Sequence, residues 1–104
     1  MQNLNPAKQP WEVLPITMDF SSNMNDGESI VLLSSEIAVY NQTTESDVTD
    51  VMVVSNSLEI IDNTKMKVSI QGGDIDNVYC LSFRAYISDN KKLEEDIKFR
   101  VKDC

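Results

Sequence analysis

An all-β fold, one antiparallel β-sandwich of about seven strands, is what this sequence predicts, and three observations carry the reading. First, Tyr79, Leu81, Phe83, Ala85 and Ile87 fall on every second position, and Leu93, Ile97, Phe99 and Val101 then alternate with charged residues. That period is the signature of strands with one buried and one wet face. Second, Asn25-Asp26-Gly27, Asp62-Asn63, Gly72-Gly73 and Asp89-Asn90 punctuate short apolar runs with residues that tolerate left-handed backbone. Third, no segment sustains apolar residues at the i, i+3, i+4, i+7 spacing of an amphipathic helix.

The elements follow in order. Residues 1–12, with Pro6 and Pro10 among Asn, Gln and Lys, read as an extended N-terminal arm; residues 13–104 form the sandwich domain. Val13, Ile16, Met18 and Phe20 give a first strand, with Pro15 restricting its start to an edge or a bulge. After the Asn25-Asp26-Gly27 turn, Ser29 to Tyr40 reads as a second strand. The polar stretch from Asn41 to Asp47 reads as an unstructured loop, Val48 to Val54 as a third strand and Leu58 to Ile61 as a short fourth. Met66, Val68 and Ile70 mark the next strand before Gly72-Gly73. The C-terminal third is then a hairpin turning at Asp89-Asn90. Lys91 to Lys98 contains helix-friendly Leu-Glu-Glu, yet its alternation assigns it to that hairpin. Tyr79, Leu81, Phe83, Ile97, Phe99 and Val101 are the expected heart of the core.

Composition sets the class. The chain has 104 residues, 41% of them hydrophobic and 25% charged, which suits a single globular domain. No apolar run approaches the roughly 20 residues of a membrane span. The opening Met1-Gln2-Asn3-Leu4-Asn5-Pro6 has neither region of a secretory leader, so synthesis in a cytoplasm is expected. Of the two cysteines, Cys80 falls in the core hairpin and is expected to be reduced and structural; a Cys80–Cys104 disulfide is the alternative.

The net charge of −8 is unevenly spread. Between Lys8 and Lys65 lie ten carboxylates and no Lys or Arg, whereas from Lys65 onward eight basic residues nearly balance seven acidic ones. Such a surface argues against binding nucleic acid through its phosphates. It serves solubility, or docks on a basic face of a protein partner. Glu45 and Asp47, in the polar stretch, and Trp11, the sole tryptophan, are the candidate interface residues. Trp11 either caps the open end of the sandwich as core or is presented to a partner.

Catalytic and cofactor constellations are not evident. The chain has no histidine, which removes the commonest general base and the usual activator of a nucleophile. Asp74 and Asp76 beside Gly72-Gly73 lack the remaining ligands of a calcium loop. Glu94 and Asp96 share a water-facing side of a strand, and the glycine pair has no G-x-G-x-x-G frame. The expectation is a protein with no catalytic residues, no metal and no cofactor.

Three blocks carry a family resemblance. Glu12-Val13-Leu14 with Asp19-Phe20-Ser21 forms the first, and Gly27-Glu28-Ser29-Ile30, entering the second strand, forms the next. The last is Gly72-Gly73, then Tyr79 and the Ser88-Asp89 turn, closed by Lys98 to Val101. Over residues 12–102 these resemble a family of small tailed-bacteriophage virion proteins described as fibre–tail adaptors. Asp76 or Asn77 and Asn90 stand where that family commonly has glycine, Ile37 near where it has tryptophan, and the acidic middle is longer. The resemblance implies an immunoglobulin-like sandwich and a non-enzymatic virion structural protein, made in a bacterial host cytoplasm. Such a protein links tail, neck or fibre components, in multiple copies per particle, and binds other virion proteins rather than nucleic acid or membrane. A capsid decoration protein is the alternative within that class. An immunoglobulin-like carbohydrate-binding or adhesion module is the alternative outside it.

Overall fold

Alternating apolar residues do build two facing sheets. The computed structural model describes residues 2–3, 8–88 and 90–102. The strands are β1 (Gln2–Asn3), β2 (Leu14–Asp19), β3 (Glu36–Asn41), β4 (Ser46–Asp47), β5 (Glu59–Ile61), β6 (Lys65–Ile70), β7 (Val78–Ile87) and β8 (Lys91–Arg100). The larger sheet has the order β1-β8-β7-β3-β4 and the smaller β2-β6-β5. All pairings are antiparallel except that of β1 with β8. A four-residue helix, α1 (Thr49–Met52), and two 3₁₀ turns, Ser21–Asn23 and Leu32–Ser34, complete the described elements.

The core lies between the sheets where period 2 placed it. Ile16, Met18, Met66, Val68 and Ile70 close it from the smaller sheet; Val39, Leu81, Phe83, Ile97 and Phe99 close it from the larger. Tyr79, Ala85, Ile87 and Val101 are buried as well. Tyr79 and Phe99 sit directly opposite on β7 and β8 with their rings stacked, centroids 5.4 Å apart. The Tyr79 hydroxyl accepts the Asp74 N–H at 2.7 Å, tying the loop after β6 to the start of β7. Tyr79→Phe keeps the ring and removes only that acceptor. The expected loss is about 1 kcal/mol of stability in urea unfolding; an unchanged midpoint would mean that water replaces the hydroxyl.

Three sequence readings are corrected. Ser29 to Tyr40 is not one strand: Ile30 makes a single bridge to Ile87, a 3₁₀ turn follows, and only Glu36–Asn41 is strand. The Ser35 hydroxyl donates to the Val31 carbonyl and accepts the Tyr86 N–H, which fixes the turn against β7 and leaves Leu33 97% exposed. Asn41 to Asp47 is a tight hairpin rather than a loose loop. Asn41 is buried, and its Oδ1 accepts the N–H groups of Thr43 and Thr44. Glu45 takes the left-handed φ of 56° that lets the chain reverse. Val48 to Val54 contains α1, not a strand. Asp47 Oδ1 accepts the Thr49 N–H, and the Thr49 hydroxyl bonds Val39 on β3, so the chain coils and drops Met52 into the core.

Pro15 pairs with Ser69 on the smaller sheet's edge strand. Ser69 spends its N–H on the Ser57 hydroxyl and its carbonyl on the Val54 N–H. The Pro15 nitrogen, which carries no hydrogen, therefore faces the open edge of β2.

Part of the expected arm is described. β1 runs parallel to Ile97–Lys98 of β8, and Lys8 bridges Val101. Lys8 is fully buried. Its N–H donates to Arg100, its carbonyl accepts from Lys102, and its Nζ donates to the Gly72 and Gln9 carbonyls at 2.7 and 2.8 Å. Burial pulls the Lys8 ammonium below its ordinary pKa, against the opposing pull of Glu12. The rest of the arm (Met1 and residues 4–7), Asp89 of the hairpin turn, and Cys104 lie outside the described residues. Cys80 is a free, buried thiol whose pKa is pushed up by burial and by Asp96 beside it.

Candidate interaction surface

The β-order sorts the loops into two poles. Gln71 donates its N–H to Met52 and its side-chain amide to Val51, and Gly72 receives Lys8. The Gln42 N–H reaches the Val78 carbonyl. Residues 8–13, 42–45, 51–52, 71–77 and 100–102 thus gather at one pole. At the other, Ile30 bonds Asn63 and bridges Ile87, joining residues 20–35, 62–64 and the turn at Asn90.

Trp11 belongs to the first pole and is 92% exposed, so the reading of it as core is overturned. Its place is set by the Gln9–Glu12 turn: the Glu12 N–H donates to the Gln9 carbonyl, and the Gln9 N–H to Glu12 Oε1 at 2.6 Å. No apolar neighbour is needed to hold the indole, because hydrogen bonds hold the backbone beneath it. Val13, Val51 and Ile75 are also exposed at this pole.

Glu45 and Asp47 are both exposed, in the hairpin at the β4 edge of the larger sheet. Trp11 lies instead on the stretch leading into β2 of the smaller sheet. The fold therefore brings Trp11 and Glu45 to one pole but not into one cluster. Asp47 has a structural task as well: the Thr49 N–H holds its carboxyl below the usual carboxylate range. Asp19 and Glu28 are lowered in the same way by the backbone N–H groups of Ser21 and Asn25.

Ion pairs are distributed unevenly. Glu28 pairs with Lys91 at 3.3 Å, Asp62 with Lys65 at 3.7 Å and Glu59 with Lys67 at 3.6 Å. Arg84 is held between Glu36 and Glu94 at 3.1 and 2.9 Å, which raises its pKa and leaves it no free charge. Among the described residues ten acids have no cation within 4 Å: Glu12, Glu45, Asp47, Asp50, Asp74 and Asp76 at or beside the Trp11 pole, and Asp19, Asp26, Glu95 and Asp96 elsewhere.

The concavities are open grooves. One of about 240 Å³ runs along the outer face of the larger sheet past Glu36, Arg84, Tyr86 and Glu94. Another of about 410 Å³ lies between Ile37, Asp50, Val53 and Leu58. Neither brings a nucleophile to a base. Asp74 and Asp76 gather no further ligands, and no group of metal-binding side chains occurs among the described residues. Nor is any helix among them long and apolar enough to cross a membrane. Glu94 faces solvent as its alternation requires, whereas Asp96 Oδ1 is enclosed without a hydrogen-bond partner among the described residues.

Sequence reading missed Val51 and Ile75. Val51 looked like one more residue of a β-branched strand, and only the coiling of α1 turns it outward. Ile75, one apolar residue between Asp74 and Asp76 in a glycine-led loop, carried the signal in plain view.

A family model described as podophage GP4 fiber-tail adaptor protein gp77 matches residues 8–100 of the chain. No curated protein and no solved structure matches it significantly.

Proposed function

This chain belongs to the podophage fiber-tail adaptor family, and from that premise we propose that it is a non-catalytic connector in the virion, docked between tail and fibre components. The observation that carries this reading is the family match over nearly the whole sandwich. Its mechanism is association alone. A rigid β module fixes the spacing and orientation of two larger proteins, and its loops supply the contacts.

The strand order supports a finer reading of the fold as immunoglobulin-like. β2-β6-β5 facing β8-β7-β3-β4 corresponds to strands B-E-D facing G-F-C-C′. Tyr79, at the start of β7 with its hydroxyl bonded back to Asp74, occupies the place of the tyrosine corner. Leu81, two residues on and fully buried, takes the place of the inter-sheet cysteine, so apolar packing substitutes for a disulfide.

The acidic hairpin is read as part of the docking charge. Mass spectrometry of purified particles tests both levels of the proposal. Wild-type protein should be present in fixed proportion to tail proteins, and absence from particles would refute the connector role. Glu45→Lys combined with Asp47→Asn, which keeps the acceptor for Thr49, should lower incorporation several-fold at low ionic strength, and the deficit should shrink as rising salt screens the wild-type attraction. Normal incorporation of that variant would assign those two charges to solubility.

A further inference from the structure

We propose that the Trp11 pole is the docking end of the molecule, and that its partner is a virion protein presenting an apolar pocket rimmed by lysine or arginine. This rests on the connector reading and adds the surface and the chemistry of what it meets.

The arrangement of side chains carries the inference. Trp11, Val51 and Ile75 are 92%, 70% and 51% exposed at one pole of a molecule measuring 44 × 23 × 21 Å. Each is next in sequence to a carboxylate: Glu12 beside Trp11, Asp50 beside Val51, Asp74 and Asp76 on either side of Ile75. Among the described residues none of these four acids has a cation within 4 Å. Lys8 stands close by but is fully buried, with its Nζ turned onto backbone carbonyls, so of these acids it acts on Glu12 alone. Arg100 and Lys102 are exposed at this pole, and neither has a carboxylate within 4 Å among the described residues. The pole therefore displays apolar anchors interleaved with carboxylates that outnumber its exposed cations. A greasy surface alone would be indiscriminate. This one rejects acidic and neutral pockets and favours a basic rim, where each anchor enters the pocket while its adjacent carboxylate meets a cation.

The anchor is also held ready. Trp11 sits on a turn closed at both ends by hydrogen bonds, and that turn is fastened to β8 and the Gly72 loop through Lys8. Little backbone freedom is left to lose on docking, and tryptophan is the side chain most enriched among residues that dominate interfaces. The opposite pole differs. Its exposed Leu32 and Leu33 have serines on their C-terminal side, and Glu28 and Asp62 there are already paired with lysines, leaving exposed Asp26 unpaired but with no exposed apolar side chain next to it in sequence. A second copy of this chain docking pole to pole would set like charges against each other, so self-association is not the use of this surface.

The test compares particles carrying wild-type protein, Trp11→Ala, Asp50→Lys with Asp74→Lys, and, at the other pole, Leu33→Ser. Incorporation is read by mass spectrometry relative to the capsid protein, and each purified chain is melted alongside. Trp11→Ala and the double charge reversal are each expected to reduce incorporation about ten-fold or more with melting unchanged, while Leu33→Ser stays near wild type. Wild-type levels of the Trp11 variant, or of the charge reversal, would overturn the proposal and leave the connector reading standing. Absence of wild-type protein from particles would overturn both. A purified wild-type chain that dimerises, with Trp11→Ala monomeric, would also overturn it in favour of self-association.

Discussion

Phe83→Ala is expected to lower the free energy of unfolding by about 3–5 kcal/mol. Phe83 lies mid-way along β7, the strand flanked by β8 and β3, with Ile37 and Glu95 as its cross-strand neighbours and none of its surface exposed. Both sheets lean on it, so neither can collapse into the space that the ring vacates, and the cavity adds to the lost transfer energy. A domain of this size has about 5–15 kcal/mol in all, so the variant would be marginal or unfolded near 25 °C. Urea unfolding followed by far-ultraviolet circular dichroism measures it. A midpoint shift worth less than about 1 kcal/mol, at unchanged slope, would mean that the core repacks and is less tightly defined than the burial pattern implies.

Gly73→Ala should be the most damaging single-methyl substitution in the chain. An added Cβ would stand 2.6 Å from Val101 Cγ2 and 3.2 Å from Met52 Cε, at a φ of +103° that L-residues rarely adopt. Val101 cannot retreat: it is fully buried, and its N–H and carbonyl are bonded to Asn77 and Asp76. Overpacking and backbone strain together are expected to cost about 2–5 kcal/mol. Gly27→Ala is the matched control, with φ of +84° but no atom within 4 Å of the new methyl, and should cost only about 1–2 kcal/mol. Thermal melts of the two variants side by side decide the matter; equal losses would mean that φ alone matters and the close approach does not.

The sandwich was legible wherever side-chain alternation and burial coincide. Ile16 and Met18 on β2, Met66 to Ile70 on β6 and the whole β7–β8 hairpin follow period 2 because each strand has one face in the core. Legibility failed where side-chain hydrogen bonds override propensity. The β-branched run from Val48 to Val54 favours a strand, but Asp47 and Thr49 divert the backbone into α1, and Thr49 does so by reaching a partner ten residues away. Ser29 to Tyr40 looked like one strand, and the turn that interrupts it and exposes Leu33 is fixed by Ser35 bonding Tyr86, a contact between distant segments.

The candidate surface was half legible. Trp11 stood out as the single tryptophan, and the missing cations between Lys8 and Lys65 were countable. Which acids stay unpaired was not, since pairing depends on which lysines the sheets carry to them. Asp62 meets Lys65 across a turn, and Glu28 meets Lys91 only because distant segments converge at one pole.

The bare nitrogen of Pro15 bears on whether one copy can add its strand to another's sheet. An open six-residue strand edge invites one copy of a chain to extend another's sheet, and so on into a fibril. At Pro15 the incoming strand would find no donor and a ring in its path. β2 keeps its outer edge unpaired among the described residues, yet remains a poor seed for that growth.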